Sequence, residues 1–221
     1  MLNNLINIFG TKTKALEIIY LLEDLKPVVR QGFYPNELPK IYQFCQEKGL
    51  FLIRSPYKVV LVDVEDGSYS NKGIKVPLND PRDGMLFAYI SKDEKKALLA
   101  NAHETENNHK ELGILLGYPQ CCIDFYTKHE PEESKINNNF TKPILDNSKG
   151  FEFPFQNNIF IRDFDITLLN HFPCSLNCQN SLELAKKHLL ILQKYDISLA
   201  NHFVERLKNK IDVDNRVLEF K

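Results

Sequence analysis

The sequence predicts an α+β fold: a small, mostly antiparallel sheet with N-terminal helices, followed by a mainly helical C-terminal half. Three observations carry it. Apolar residues recur at helical spacing through Leu16, Ile19, Leu22 and Leu25, aliphatic runs at 50–54 and 58–64 are separated by turn residues, and from Ser91 onward helix starts and stops dominate. With 221 residues, 43% hydrophobic and 26% charged, the chain can bury a substantial core. It divides into a helix-plus-sheet portion, 1–90, and a helical portion, 91–221, together forming one compact unit.

The first helix is expected over 11–25, with Ile18 and Leu21 widening its apolar stripe and Pro27 ending it. Gly32, Pro35 and Asn36 read as a turn. A second helix runs to about Lys48, with Ile41, Phe44 and Cys45 inward and Gly49 as its C-terminal cap. Cys45 reads as a small buried hydrophobe. Strands follow at 50–54 and 58–64, then a turn-rich loop through Asp66-Gly67-Ser68 and Asn71-Lys72-Gly73, a short strand at 74–77, a turn at 79–84 and a strand at 85–90. The two helices should pack on one face of this sheet.

Ser91-Lys-Asp-Glu94 has the form of a capping box opening a helix through Ala97, Leu98 and Ala102. The polar stretch 104–109 reads as a bend and solvated helix end, and a short helix at 110–116 stops at Gly117. Pro119 then starts another, since proline at the first helical position loses no hydrogen bond. The Asn-, Glu- and Lys-rich segment 130–150 reads as a long exposed loop, a possible protein-partner surface. Phe151, Phe153, Phe155 and Phe160 return the chain to the core. A long helix is expected from Pro173 to Tyr195, a further one from Asp196 or Ser198 to about Lys208, and an edge strand at 213–220.

Four of the five cysteines fall in two places, Gly117-Tyr-Pro-Gln-Cys-Cys122 and His171-Phe-Pro-Cys-Ser-Leu-Asn-Cys178. If each proline begins a helix, Cys121, Cys122 and Cys174 sit in first turns, where free amides and the helix dipole favour a thiolate. Cys178, four residues beyond Cys174, would share its helical face.

Three readings compete. The four cysteines could be small hydrophobes at tight corners. They could be ligands of a metal site, Cys121, Cys122, Cys174 and Cys178 with His171 beside them. Or one could be a reactive thiol, with His171 as base and a neighbour as resolving partner. Within the metal reading, the pairs Cys-Cys and C-x-x-x-C are not the usual C-x-x-C knuckle of structural zinc. Adjacent cysteines serve different irons of one cluster more readily than a single ion, so an iron-sulfur cluster edges ahead of zinc. A vicinal disulfide would instead make the pair a redox switch.

These two motifs together resemble the signature of an uncharacterised, largely archaeal family, domain of unknown function 483. The likeness covers both motifs and the helix after the second. It implies the same cysteines and His171 as the site and brings no established activity with it.

His103, Glu104, Glu106 and His109 lack the four-residue histidine spacing of a metalloprotease helix. His109 or Glu111 could still approach the cysteines. Asp124 reads as a first-turn charge, and His129, His188 and His202 have no assignable partner. Phosphate loops, dinucleotide-binding glycine patterns and the nucleophile elbow are absent from the sequence. A net charge of -1 without a polybasic run gives no strong nucleic-acid signal. No apolar run is long enough for a membrane span and no secretion signal opens the chain, so a cytoplasmic protein with reduced thiols is expected. The reading with most support is a cysteine-cluster metalloprotein holding an iron-sulfur cluster or zinc, with redox or group-transfer chemistry. The alternatives are a non-catalytic interaction module with packed structural cysteines, or a cysteine-based thiol enzyme.

Overall fold

The computed structural model describes residues 1–61, 73–135, 138–213 and 216–221. Helices α1 (Leu2–Phe9) and α2 (Lys12–Leu22) open the chain, the second capped by Thr11, whose side chain accepts from Lys14 N. Strand β1 (Val28–Phe33) and helix α3 (Leu38–Glu47) follow, then β2 (Phe51–Arg54), β3 (Tyr57–Leu61), β4 (Gly73–Pro77) and β5 (Leu86–Ser91). Beyond them come α4 (Glu94–Thr105), α5 (His109–Leu115), α6 (Gln120–Glu133), α7 (Thr141–Asp146) and β6 (Glu152–Phe153). After two 3-10 turns, at 155–157 and 162–164, the chain closes with α8 (Gln179–Tyr195), α9 (Ile197–Leu207), β7 (Lys210–Val213) and β8 (Arg216–Phe220). The fold is α+β, as expected.

The N-terminal sheet has the order β1-β5-β2, antiparallel throughout, with Val28 opposite Ser91 and Phe51 opposite the same residue on the other side. Strands β3 and β4 pair separately, tied to the sheet by a bridge between Val59 and Met85. The third sheet runs β6-β8-β7 and contains one parallel pair, β6 with β8. The main core draws on both portions: Leu5, Phe9, Leu16, Ile19, Phe33 and Ile41 are continuous with Phe140, Leu168, Leu192, Phe203 and Phe220.

Several expectations need correction. The turn expected at Gly32 is inside β1, where its missing side chain admits Met85 from the neighbouring segment: a Cβ would lie 3.2 Å from Met85 Sδ. Helix α1 was not foreseen. The cap of α4 is Asp93, accepting from Lys96 N, because Ser91 ends β5 and its hydroxyl donates to Pro27 O at 2.8 Å. The segment 130–150 is no long exposed loop. Helix α6 continues to Glu133 through Pro131, and α7 plugs Phe140, Ile144 and Leu145 into the core. Strand β8 is central in its sheet, flanked by β6 and β7, where an edge strand was expected. The turn-rich loop at 66–72 lies outside the described residues. Cys45 is buried in the main core, as read.

Candidate metal centre

Helix α6 brings the first cysteine pair to its place. Asn108 caps α5 by accepting from Glu111 N, and α5 ends at a left-handed Gly117, φ +76°. There a side chain would meet Pro27 Cδ at 3.0 Å, so glycine satisfies both the backbone turn and the close approach. Pro119, expected as the first helical residue, is the N-cap of α6, and the helix begins one position later at Gln120. Cys121 and Cys122 therefore lie in the first turn, as the sequence indicated. Helices α5 and α6 cross closely at Gly113, where a Cβ would stand 2.8 Å from Ile123 Cγ1.

The second pair arrives differently from what was expected. No helix begins at Pro173: helix α8 starts at Gln179 with Cys178 as its N-cap, and 172–178 is irregular chain. Cys174 and Cys178 thus do not share a helical face. Polar groups from elsewhere hold this segment. Buried Ser148 accepts from Leu176 N at 2.8 Å, Asn147 Nδ2 donates to Cys174 O, and Asn157 Nδ2 donates to both Leu176 O and Cys178 O at 3.1 Å. Those long-range bonds replace the ladder that a helix would have supplied.

The four sulfurs converge. Cys121 Sγ lies 3.8 Å from Cys122 Sγ and 3.7 Å from Cys178 Sγ, Cys122 Sγ lies 3.7 Å from Cys178 Sγ, and all four are within 4.8 Å of one another. No two are joined by a disulfide. Cys122 and Cys178 are buried, while Cys121 and Cys174 keep partial exposure. This four-cysteine cluster could hold a metal ion.

Donors surround the sulfurs. Cys174 N–H donates to Cys122 Sγ at 3.3 Å, Asn180 Nδ2 donates to Cys121 Sγ at 3.4 Å, and the Ser181 hydroxyl stands 3.2 Å from Cys122 Sγ. Without an ion, the thiols of Cys122 and Cys174 donate towards Cys178 and hold it well below the ordinary thiol range, while Cys122 is pushed up by its contacts with Cys174 and Cys178 and by burial. The cluster is built to carry negative charge on sulfur.

His171, expected among the ligands, stands one residue behind them. Its Nε2 meets Ser181 Oγ at 2.9 Å, so it reaches Cys122 through that hydroxyl. Burial, reinforced by the Lys26 charge, pushes His171 down to about 3 and keeps the ring neutral. Lys26 itself is buried against Glu17, 2.8 Å away, and lies over the Tyr118 ring.

Two site neighbours were not recognised in the sequence. Ser181 is a plain helix residue by pattern, and only the Cys122 contact shows its role. Glu104, read as solvated, is buried, pairing with the Arg30 guanidinium and accepting from Tyr89 OH at 2.9 Å. Burial pushes its carboxyl up, but the Arg30 charge outweighs this and holds it below the usual range. A spacing argument within 103–109 could not see Arg30, seventy-four positions upstream of Glu104. His109 and Cys122 both line one cavity of about 250 Å³, whereas Glu111 is exposed. Asp124 accepts from Gln120 Nε2, His129 packs on Phe125, and His188 is buried against Tyr20.

Residues 100–209 match the model of a family described as protein of unknown function (DUF483). No curated protein matches the chain. No solved structure matches it either. Among the described residues, no helix is long and apolar enough to cross a membrane.

Proposed function

We propose that this chain, whose residues 100–209 belong to the DUF483 family, is a metalloprotein that holds a single ion between Cys121, Cys122, Cys174 and Cys178. The observation that carries the reading is the sulfur spacing. Tetrahedral coordination with metal–sulfur bonds of about 2.3 Å has edges of about 3.8 Å. Three sulfur–sulfur contacts measure 3.7, 3.7 and 3.8 Å. An iron-sulfur cluster spreads its thiolates over two or four irons and sets some of them farther apart than any pair here, all of which lie within 4.8 Å. The spacing therefore favours zinc, or one iron, over a cluster. Adjacent cysteines can share one ion because the first turn of α6 places both sulfurs on the same side of its start.

Four protein thiolates leave no open position, the arrangement of structural rather than catalytic zinc. Such an ion would supply cross-linking and charge neutralisation. Its ligands would tie the start of α6 to the irregular segment 172–178 and the start of α8. Asn180, Ser181 and the Cys174 amide orient and neutralise the sulfurs, and His171 fixes the Ser181 hydroxyl. A reducing compartment such as the cytoplasm suits four unpaired thiols. The thiol-enzyme reading has less support, since among the described residues no histidine nitrogen bonds a sulfur directly.

The test is metal analysis of protein purified anaerobically without added metal, together with native thiol titration. The expected result is one zinc or iron per chain, four protected thiols, and thiolate-to-metal charge-transfer absorption after cobalt substitution. Absence of stoichiometric metal with all four thiols freely titratable would overturn the reading in favour of packed cysteines.

A further inference from the structure

The four sulfurs are not equivalent towards solvent. A zinc-bound cysteine is a thiolate, and the thiolate is the form that oxidants attack. Cys122 is buried, with the Ser181 hydroxyl 3.2 Å from its sulfur and the Cys174 amide donating to it at 3.3 Å. Cys121 is only half-buried, and the donor on its sulfur, Asn180 Nδ2 at 3.4 Å, belongs to an exposed side chain. Asn180 and Gln120, the residue before Cys121, both line an open surface hollow of about 280 Å³. A small polar molecule therefore meets the cluster first at Cys121.

Two sulfurs stand at contact distance from Cys121, Cys122 at 3.8 Å and Cys178 at 3.7 Å. A bridge to Cys122 would break the first turn of α6. Adjacent Cα atoms across a trans peptide are about 3.8 Å apart, below the roughly 4.4 Å at which ordinary disulfides begin. The Cys122 and Ile123 amides also both donate to Pro119 O, at 2.9 and 3.0 Å, and hold that turn in place. Cys178 carries no such constraint, because it is the N-cap of a different helix, α8. The fifth cysteine, Cys45, is buried in the main core, where burial pushes its thiol up to about 12 and leaves it a bystander.

We propose that Cys121 of the zinc-loaded chain is the site of oxidation by a small hydroperoxide, with Cys178 as its resolving partner, and that the disulfide joining them releases the ion. This rests on the metal reading, since the ion keeps the sulfurs as thiolates. The Cys121 thiolate attacks one peroxide oxygen, forming an S–O bond as the O–O bond breaks, and the hydroxide released takes a proton to become water. The Cys178 thiolate then attacks the Cys121 sulfur, forming the S–S bond and expelling a second hydroxide, which is protonated likewise. Two thiolates give up two electrons, and one peroxide with two protons becomes two waters. Zinc changes no oxidation state; it leaves because only Cys122 and Cys174 remain to hold it. The disulfide keeps the start of α6 tied to that of α8, while the segment carrying Cys174 loses its anchor.

The test is stepwise addition of hydrogen peroxide to reduced, zinc-loaded protein. Zinc release is followed with a colorimetric chelator, and the products are alkylated and mapped by mass spectrometry. One zinc should be released per chain, thiols titrated in denaturant should fall from five to three, and a Cys121–Cys178 cross-linked peptide should appear. Dimedone, which traps sulfenic acids, should label Cys121, and a thiol reductant with added zinc should restore the starting protein. Zinc retained under excess peroxide, a disulfide between other cysteines, dimedone at Cys174 in place of Cys121, or sulfinic acid without a disulfide would each overturn the proposal. Zinc content is measured before the oxidant is added. A chain that takes up no zinc overturns the metal reading and the proposal with it, whereas zinc bound and then retained overturns the proposal alone.

Discussion

Ser181 is fully buried, and its hydroxyl bridges His171 Nε2, 2.9 Å away, to Cys122 Sγ at 3.2 Å. A hydroxyl in that position can donate to a thiolate only if the histidine nitrogen donates to the hydroxyl in turn, which the neutral ring at His171 permits. Ser181→Ala deletes the donor without changing any ligand. It should lower metal affinity about 10- to 100-fold, read by chelator competition, with the far-ultraviolet spectrum unaltered. If the cysteines were packing alone, the same substitution would move only stability. His188 gives a second residue-scale prediction. Its Nδ1 donates to Leu168 O at 2.7 Å, its ring stacks on Tyr20 at 3.9 Å, and burial pushes it down to about 4. The folded chain therefore holds this ring neutral where the unfolded chain protonates. Stability should be full above the ordinary histidine value of about 6.5 and fall as pH drops towards 4, by about 3 kcal/mol for this one group. Burial at His171 acts in the same direction, and loss of the Glu104 ion pair follows only in more acid solution, as pH falls through its lowered value. Urea unfolding at pH 7 and 4.5 measures the slope, which His188→Gln should reduce by about one proton.

Among the elements, α5 and α6 carry the first half of the site on one close crossing. A Cβ at Gly113 would meet Ile123 Cγ1 at 2.8 Å, and Ile123 follows Cys122 directly. Gly113→Ala gains up to about 1 kcal/mol of helix propensity. The overpacking opposes it by about 1–3 kcal/mol and displaces the start of α6. A net loss of stability together with weaker metal retention is expected, and Gly113→Ala with Ile123→Val should recover part of both. Denaturant midpoints and metal retention on dialysis check it. This first half was legible in the sequence because its signals are local: a glycine stop, a proline start, and cysteines in the turn that follows. The second half was legible only as residues. Pro173 looked like the same start signal, but Ser148, Asn147 and Asn157 take up the backbone groups of 174–178 from thirty or fewer positions upstream, and no local pattern reports that. The same limit hid β1, where Gly32 was read as a turn although it serves the approach of Met85, and α7, where a polar average over 130–150 masked Phe140, Ile144 and Leu145. Glu104 was misread because its partners, Arg30 and Tyr89, sit on strands β1 and β5.

At the scale of the whole molecule, the question is what the ion would hold together. A structural ion that served the helical portion alone would, when lost, collapse that portion and leave the sheet portion standing. The core argues for a different outcome. Phe9, Leu16, Ile19 and Phe33 from the first portion belong to one continuous cluster with Phe140, Leu168, Leu192 and Phe203 from the second. Helix α2 packs directly on α8, and the buried Lys26–Glu17 pair sits beneath Tyr118, three residues past the end of α5 and three before Cys121. Opening the site loosens the segment that covers this shared core, so the N-terminal portion loses its cover at the same time. Removing the ion should therefore lower a single unfolding transition rather than create a second one. An ion held at 100 times its dissociation constant in the free pool contributes about 2.7 kcal/mol to that transition. Thermal unfolding of the protein with and without a zinc chelator, followed in parallel by far-ultraviolet circular dichroism and by the near-ultraviolet signal of its tyrosines, should show both probes shifting together. Two separated transitions would place the boundary between the portions where the sequence drew it, near residue 90. A chelator with no effect on either probe would count against the metal itself.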